Sequence, residues 1–577
     1  MKKMKTKILV LGLVAALAGL SFSAEKKILK DELPKDQIDF YDGKKQELNI
    51  DVDIPEGTDV ESLPKFLIKE INLKDETELI SDKRKKKIIG KYEFMQMNVL
   101  DIKRLVKELT NEYMKDGYVT TRVLLEPNQN LQAGILNLVT VEGRMEEVVL
   151  DKDRTRDKRR SFFAFSNETG QIFNIRDIDQ GIDNLNRLDS NDAKLSIVPG
   201  DKPGYSKVII NSNQTRPFRL KLGYENTKQD REKFKAMFEY DDLFGIDDKF
   251  YLYYKGDTDN LLGHQGDKKT DDFNVGYSFP AKNWEFNLSY SYSDDSNKVK
   301  GIYSNYTLDT KTQQYSLGVN RLLYRNADVK VNVSFGIDMK SEKTYLEKTR
   351  LEGQDKDFTV ANVGINGIYK LLGGMSSYGF TYYRGLKEFG AGNDASFGIG
   401  TLDTEPLNGY DNKYQFNKYG LDLSWYKPFY FKNQGVTFRI TGNGQYTNDS
   451  LFSNEKISIG SYDTVRGFSD SVSGDTGYYI RTEVSYILPS FTKSDKINDF
   501  MYKIRPFLGV DYGQVRDNYN YYGEKNGNIY TLSGYTAGIK YYGEKLNLDF
   551  GISKGDSGPD FIRKDDYRGY ISGMITF

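Results

Sequence analysis

Trp284-Glu285-Phe286-Asn287-Leu288-Ser289-Tyr290-Ser291-Tyr292 alternates apolar and polar side chains without a break. Successive side chains of a β-strand point to opposite faces. Trp284, Phe286, Leu288, Tyr290 and Tyr292 therefore share one face, and Glu285, Asn287, Ser289 and Ser291 share the other. The same period runs from Val329 through Val331, Val333, Phe335, Ile337 and Met339, with Lys330, Asn332, Ser334 and Asp338 opposite. It returns in Val436, Phe438 and Ile440, and again in Leu546, Leu548, Phe550 and Ile552. A water-soluble sandwich shows this once or twice. Kept up from Phe218 to Phe577, in a chain with 43 Tyr and 33 Phe, it indicates strands with lipid on one face and water on the other. Backbone groups cannot go unpaired in hydrocarbon, so such strands must close into a barrel.

Composition fits that reading. The 577 residues are enough for two or more domains. A mean hydropathy of -0.63 excludes a bundle of membrane helices, but not a barrel, in which only alternate residues meet lipid. A net charge of -1 gives no general case for nucleic-acid binding. Cysteine is absent, which removes disulfides, thiolate nucleophiles and cysteine metal sites.

Residues 1–24 carry the marks of an export signal. Lys2, Lys3, Lys5 and Lys7 precede an apolar run from Ile8 to Leu20, and Ser21-Phe22-Ser23-Ala24 supplies small residues for cleavage. Export together with a barrel places the mature chain in a bacterial-type outer membrane.

Residues 25–62 form a polar extension with Pro34 and Pro55, either a linker or a short plug helix around Lys26 to Leu33. From 63 to 143 the order is strand, helix, strand, strand. Phe66 to Leu73 is the first strand. Asn98 caps a helix with Asp101 in a capping-box position and Val99, Ile102, Leu105, Val106, Leu109 and Tyr113 as its apolar stripe. Val119–Leu125 and Ile135–Val141 follow as strands. The basic run Lys83 to Lys87 reads as a solvated face. Residues 144–214 repeat the order, with Asp151 to Arg160 as a solvated loop, a helix through Ile175, Ile178, Ile182 and Leu185, and strands at Leu195–Val198 and Lys207–Ile210. These are two small α/β modules with exposed sheet edges, which can accept an extended peptide. The barrel occupies 215–577. A spanning strand with its turn takes roughly 20–24 residues, which gives about 15–18 strands, and even parity selects 16.

Three barrel segments are more specific than periodicity. They are Ser458-Ile459-Gly460-Ser461-Tyr462-Asp463-Thr464-Val465-Arg466-Gly467-Phe468, then Gly474-Asp475-Thr476-Gly477-Tyr478-Tyr479-Ile480-Arg481-Thr482-Glu483, then Gly509-Val510-Asp511-Tyr512-Gly513. Strand alternation puts Phe507, Gly509, Asp511 and Gly513 on the lumen face, opposite Leu508, Val510 and Tyr512, and turns Arg481 and Glu483 inward. Glycines beside Asp511 leave room for an incoming loop.

Together these segments resemble the two-partner secretion outer-membrane transporters of the haemolysin-activator (ShlB/FhaC/HecB) type, in the superfamily of barrels carrying POTRA domains. Gly117-Tyr118, Pro127-Asn128-Gln129, Gly134 and Glu142-Gly143 are similar to that family's first POTRA unit. Phe173-Asn174-Ile175-Arg176-Asp177, Gln180 to Leu188 and Pro199-Gly200 are similar to its second. Leu243-Phe244-Gly245-Ile246-Asp247-Asp248 looks like the family's Leu-Gly-Leu-Asn-Asp turn, with Asp247 where asparagine is usual. The 25–62 segment matches the family's plug helix poorly. The resemblance implies a transmembrane β-barrel behind two periplasmic POTRA domains. It implies that Val465-Arg466-Gly467-Phe468 is the tip of a loop folded back into the barrel, with Arg466 paired to Asp511. It also implies a secreted β-rich exoprotein, adhesin or haemolysin-like, as partner, with outer-membrane lipid around the barrel and periplasmic chaperones and barrel-assembly machinery in its biogenesis.

No catalytic chemistry is expected. Gly551-Ile552-Ser553-Lys554-Gly555 and Gly555-Asp556-Ser557-Gly558 mimic serine-hydrolase motifs, but both lie in strand-then-turn context. The only histidine, His264, sits in a polar, Gly/Asp-rich segment. No P-loop and no cofactor site is recognisable. The alternative function is an outer-membrane barrel assembly factor, which shares the Arg–Asp arrangement but usually carries more POTRA units. A passive porin leaves the two modules and Val465–Phe468 unexplained.

Overall fold

The computed structural model describes residues 63–577 except 151–153, 167–168, 228–231, 259–267, 302–303, 395–411, 432–433, 520–526 and 564–566. The export signal, the 25–62 extension and His264 lie outside the described residues.

Sixteen antiparallel strands close into one barrel, counted among the described residues and without the two-residue piece Thr349–Arg350. Sixteen is the number that chain length and parity select. The first strand, Phe218–Asn226, pairs with the last, Arg568–Thr576, from Asn226 opposite Ile571 to Lys221 opposite Thr576. Phe577 N–H closes the seam on the Leu220 carbonyl at 2.9 Å. Register follows the period of two. Leu288 faces Leu317 across the ladder, and Ser289 faces Ser316. A slip of one residue would turn every serine toward lipid.

The outer face is apolar and exposed, with Leu288, Phe335, Phe380, Leu423, Leu508, Val510 and Ile552 among its residues. So continuous a greasy surface is stable only in contact with lipid. Trp284 and Trp425 lie toward the end near the modules, and Tyr306, Tyr446 and Tyr478 toward the far end, as interfacial aromatics do. Among the described residues no helix is long and apolar enough to cross a membrane.

The first module packs helices Asp82–Ile89 and Val99–Lys115 against a three-stranded sheet in the order Glu70–Lys74, Ile135–Val141, Arg122–Leu125. Asn98 caps the long helix in a full capping box with Asp101. Ile102, Leu105, Leu109 and Tyr113 of its stripe reach the core. Two expectations need correction. Phe66 to Leu73 is split into Phe66–Ile68 and Glu70–Lys74, which pair with different partners. The basic run 83–87 is not wholly solvated either: Lys85 is buried in a 3.0 Å ion pair with Asp75.

The second module has the sheet order Arg144–Leu150, Tyr205–Gln214, Asn191–Pro199, with helices Thr155–Ala164 and Ile175–Asn186. Here the larger correction falls. The segment expected as a solvated loop over 151–160 supplies most of a helix whose charges dock on the barrel. Arg160, 1% exposed, places Nη2 2.7 Å from Asp247 in the turn 242–248. Arg156 reaches Asp242 at 2.7 Å, and Arg187 donates to the Asp247 carbonyl at 3.0 Å. Asp247 has φ 58°, a left-handed conformation that Asp and Asn tolerate. A charge run reads as solvated from its own neighbourhood; its partners lie more than eighty residues away.

The dock continues around the rim. Asp183 sits between Arg325 and Lys330, the latter at 3.0 Å. Asn184 Nδ2 donates to the Lys282 carbonyl at 2.8 Å, and Ser190 N–H to Asp241 at 2.9 Å. The second module is thereby fixed beneath the strands from Phe218–Asn226 to Val329–Leu346.

Candidate functional site: a loop pinned to the lumen wall

Strands Gln434–Tyr446 and Thr476–Ile487 are adjacent in the barrel, and the chain between them, 447–475, returns into the lumen. Its middle is a hairpin of Ile457–Ile459 against Val472–Gly474. Ser461 and Thr464 make the turn that follows, with Thr464 Oγ1 accepting from Gly460 N–H at 3.1 Å and Ser461 N–H at 3.0 Å. Beyond it lie Val465, Arg466, Gly467 and Phe468. Val465, Arg466 and Phe468 are all buried. Val465 and Phe468 join an apolar cluster with Ile459, Val472, Val515 and Leu532.

Arg466 makes a two-pronged pair with Asp511: Nε to Oδ2 at 2.6 Å and Nη2 to Oδ1 at 2.8 Å. Its backbone N–H adds a third bond to Oδ2 at 3.1 Å. Glu483 accepts from Nη1 at 2.7 Å and from Lys540 at 2.5 Å. Planar guanidinium geometry suits such a site, because each carboxylate finds a donor in a fixed direction. Arg481 donates to the Asp463 carbonyl at 2.8 Å, so it holds the turn rather than the tip.

The wall beneath the tip is made of glycine. A Cβ added at Gly509 would lie 2.5 Å from Arg466 Nη2, and one at Gly513 2.9 Å from Val465 Cγ2. At Gly534 it would meet the Arg466 carbonyl at 2.1 Å. Gly467, at φ 99°, passes so close to strand Leu546–Ser557 that its own Cβ would strike Lys554 at 2.3 Å. There Gly555 N–H donates to the Gly467 carbonyl at 3.0 Å. The second glycine of the apparent serine motif is thus a seat for the loop, and Ser553 and Ser557 lie on one continuous strand.

The other end of the loop is fastened across the barrel. Asn454 donates to Glu342 at 3.0 Å, Lys418 to Glu455 at 2.8 Å, and Phe452 packs with Phe358, Tyr414 and Phe416. The buried Asp475 accepts from Leu451 N–H at 2.8 Å and Asn518 N–H at 2.9 Å, tying the loop base together.

The structure thus brings Val465, Arg466, Gly467, Phe468, Gly509, Asp511, Gly513 and Glu483 to one place, with Arg481 alongside. Sequence reasoning turned Glu483 inward but gave it no partner. It missed Lys540, and it missed Gly534 and Gly555, whose only signal was glycine at an inward-facing strand position. It also missed Tyr462, which donates to Asp549 at 3.0 Å and packs edge-on against Tyr570.

Across the lumen, the wall on strands Trp284–Lys300 and Asn305–Arg325 is different in kind. Asn287, Ser289, Ser291 and Ser293 face Gly318, Ser316, Gln314 and Thr312, and the next strands add Asp338, Gly336, Asn362 and Gly364. Short neutral side chains dominate, with Asp338 held by Ser316 and Asn362.

The family model of the haemolysin secretion/activation protein ShlB/FhaC/HecB matches residues 204–541. An ShlB-type POTRA model matches 66–143, and a further POTRA model 144–199. The outer membrane transporter CdiB of Dickeya dadantii is 28% identical over 431 residues, 73% of each chain. The hemolysin transporter protein HpmB of Proteus mirabilis is 28% identical over 461 residues, 79% of this chain and 76% of that protein. The solved structure of CdiB from Escherichia coli has a TM-score of 0.79 at 24% identity, covering 96% of this chain and 97% of its own. At that identity the likeness is one of fold. Barrel, modules and relatives agree on an outer-membrane position with the POTRA domains in the periplasm. The chain belongs to the haemolysin secretion/activation ShlB/FhaC/HecB family, the outer-membrane transporters of two-partner secretion.

Proposed function

We propose that this transporter carries one unfolded, β-rich exoprotein, adhesin or haemolysin-like, from the periplasm through the barrel to the cell surface. The observation that carries this reading is the contrast inside the lumen. A buried arginine fastens a returning loop to one wall, and the opposite wall is lined by short neutral polar groups.

The POTRA domains act as the receiver. Strand Asn191–Pro199 ends the second module's sheet, and Tyr205–Gln214 is its only partner among the described residues. Its outer edge offers N–H and C=O groups to an extended cargo segment, and side-chain grooves select that segment. Because that module is fixed beneath the serine- and asparagine-lined strands, cargo leaves it at the foot of that wall. Short hydroxyl and amide groups exchange hydrogen bonds with a moving backbone without gripping it. Arg466 and Asp511 keep the loop in the position that permits passage, and net direction comes from the cargo folding outside.

Deleting the gene tests the reading. One exoprotein should vanish from the surface while other outer-membrane barrels assemble normally. General loss of barrels would instead mark the chain as a barrel assembly factor.

A further inference from the structure

The periplasmic connection 488–503, between strands Thr476–Ile487 and Ile504–Arg516, carries a helix, Asp495–Tyr502. At 100° per residue, Ile497, Phe500 and Met501 fall on one side, and Asp495, Asn498 and Asp499 on the other. Lys496 lies at the border between them, where a long stem can follow an apolar surface and lift its ammonium to water. Ile497 and Phe500 are exposed, as is Phe491 in the preceding loop. Left in water, these three would make an unpartnered apolar patch.

Their position says what covers them. Tyr542 N–H donates to the Lys503 carbonyl at 2.9 Å, which sets the helix directly against the end of strand Ile529–Tyr542. The Phe500 ring lies 5.7 Å from that of Tyr541. Tyr541 shares the lipid-facing side of its strand with the exposed Ile539 and Tyr535, whereas Lys540 points inward to Glu483. The helix stripe therefore continues the barrel's outer apolar face past its periplasmic edge. Tyr502 instead joins Tyr426, Tyr430 and Ile487 on the lumen side, its ring 4.6 Å from the Arg505 guanidinium. The bonds from the second POTRA domain reach barrel residues between Arg219 and Lys330, on other strands of the ring.

We infer that Asp495–Tyr502 is an interfacial helix that lies on the periplasmic leaflet, with Phe491, Ile497 and Phe500 inserted among phospholipid acyl chains. Amphipathic segments of this kind bury one side at the boundary between headgroups and chains. Here the helix fixes the membrane level on the very wall to which the loop is pinned, while Tyr502 closes that wall's periplasmic rim.

Collisional quenching by brominated phospholipid tests this in the full chain. The two native tryptophans are replaced first, by Trp284→Phe and Trp425→Phe. Ile497→Trp is then compared in phosphatidylcholine vesicles with Val510→Trp on the lipid-facing wall and Lys202→Trp in an exposed POTRA turn. Bromine near the headgroup end of the chains should quench the residue-497 probe at least about half as strongly as the residue-510 probe. The residue-510 probe also reports that the barrel has folded and inserted. Quenching no greater than at residue 202 would overturn the inference. So would a probe insensitive to bromine whose emission shifts to the blue only when an unfolded β-rich polypeptide is added, since cargo would then be the occupant.

Discussion

The two sides of the lumen use opposite chemistry on the same scaffold. On strands Thr476–Ile487 to Leu546–Ser557, charges are paired, glycines are pressed against a loop and apolar side chains are buried inside the barrel. On strands Trp284–Lys300 and Asn305–Arg325, inward residues are short and mostly neutral, and Gly318 has nothing nearer its missing Cβ than Asn287 at 3.7 Å. A wall that must hold something needs strong, directional and fully satisfied bonds. A wall that must let a chain pass needs bonds that form and break easily. A substitution should therefore hurt most on the holding wall.

The largest effect should follow loss of the arginine. Arg466→Ala leaves Asp511 and Glu483 buried without their guanidinium, a change of about 3–5 kcal/mol for breaking one side of a buried pair. Exoprotein in the medium should fall about tenfold or more, with the barrel still present in outer-membrane fractions. Unchanged export would remove Arg466 from the mechanism.

Next comes a matched pair of glycine substitutions. Gly534→Val forces a side chain into the Arg466 carbonyl and should cut export several-fold, whereas Gly318→Val points into open lumen and should leave it near normal. Equal loss from both, with equal barrel amounts, would erase the distinction between the walls.

A smaller effect is expected from charging the neutral wall. Asn287→Lys with Ser316→Lys should slow export less than Arg466→Ala or Gly534→Val, while protease sensitivity of the 447–475 loop stays as in the parent. A loosened loop would mean that the two walls are not independent.

The smallest effect concerns the dock beneath the neutral wall. Burial pushes the Asp183 carboxyl upward, but Arg325 and Lys330 outweigh it and hold it below the ordinary value of 3.8. A carboxylate lowered in the folded state stabilises fully above its unfolded value and loses that contribution as pH falls through the folded one. Hydrogen exchange of helix Ile175–Asn186 should therefore quicken only below about pH 4. Asp183→Asn should quicken it already at neutral pH.

Much of this was legible in the chain. Period-two alternation gave the barrel, because lipid outside and water inside impose it on every strand. The capped helix at Asn98 and the helix from Ile175 were legible for the same reason, as local signals with local causes. The Arg466–Asp511 pair came from the family resemblance that three motifs carry, and strand alternation independently turned Asp511 inward. What stayed hidden were partners set by the fold. Arg160 looked solvated because Asp247 is distant in sequence, and Lys85 because Asp75 lies on another element. Gly534 and Gly555 looked like ordinary strand glycines because the backbone that presses on them comes from a loop between other strands.

The absence of cysteine permits a direct test of the pinned loop. A disulfide between Val465→Cys and Gly513→Cys, where Val465 Cγ2 lies 2.9 Å from the position of an added Cβ, would tether the tip to its wall. This bond should form in intact outer membranes, and export should continue with the bond closed. A bond that fails to form there would show that the tip does not rest on this wall, and one that stops export until reductant is added would show that the pinned loop blocks passage.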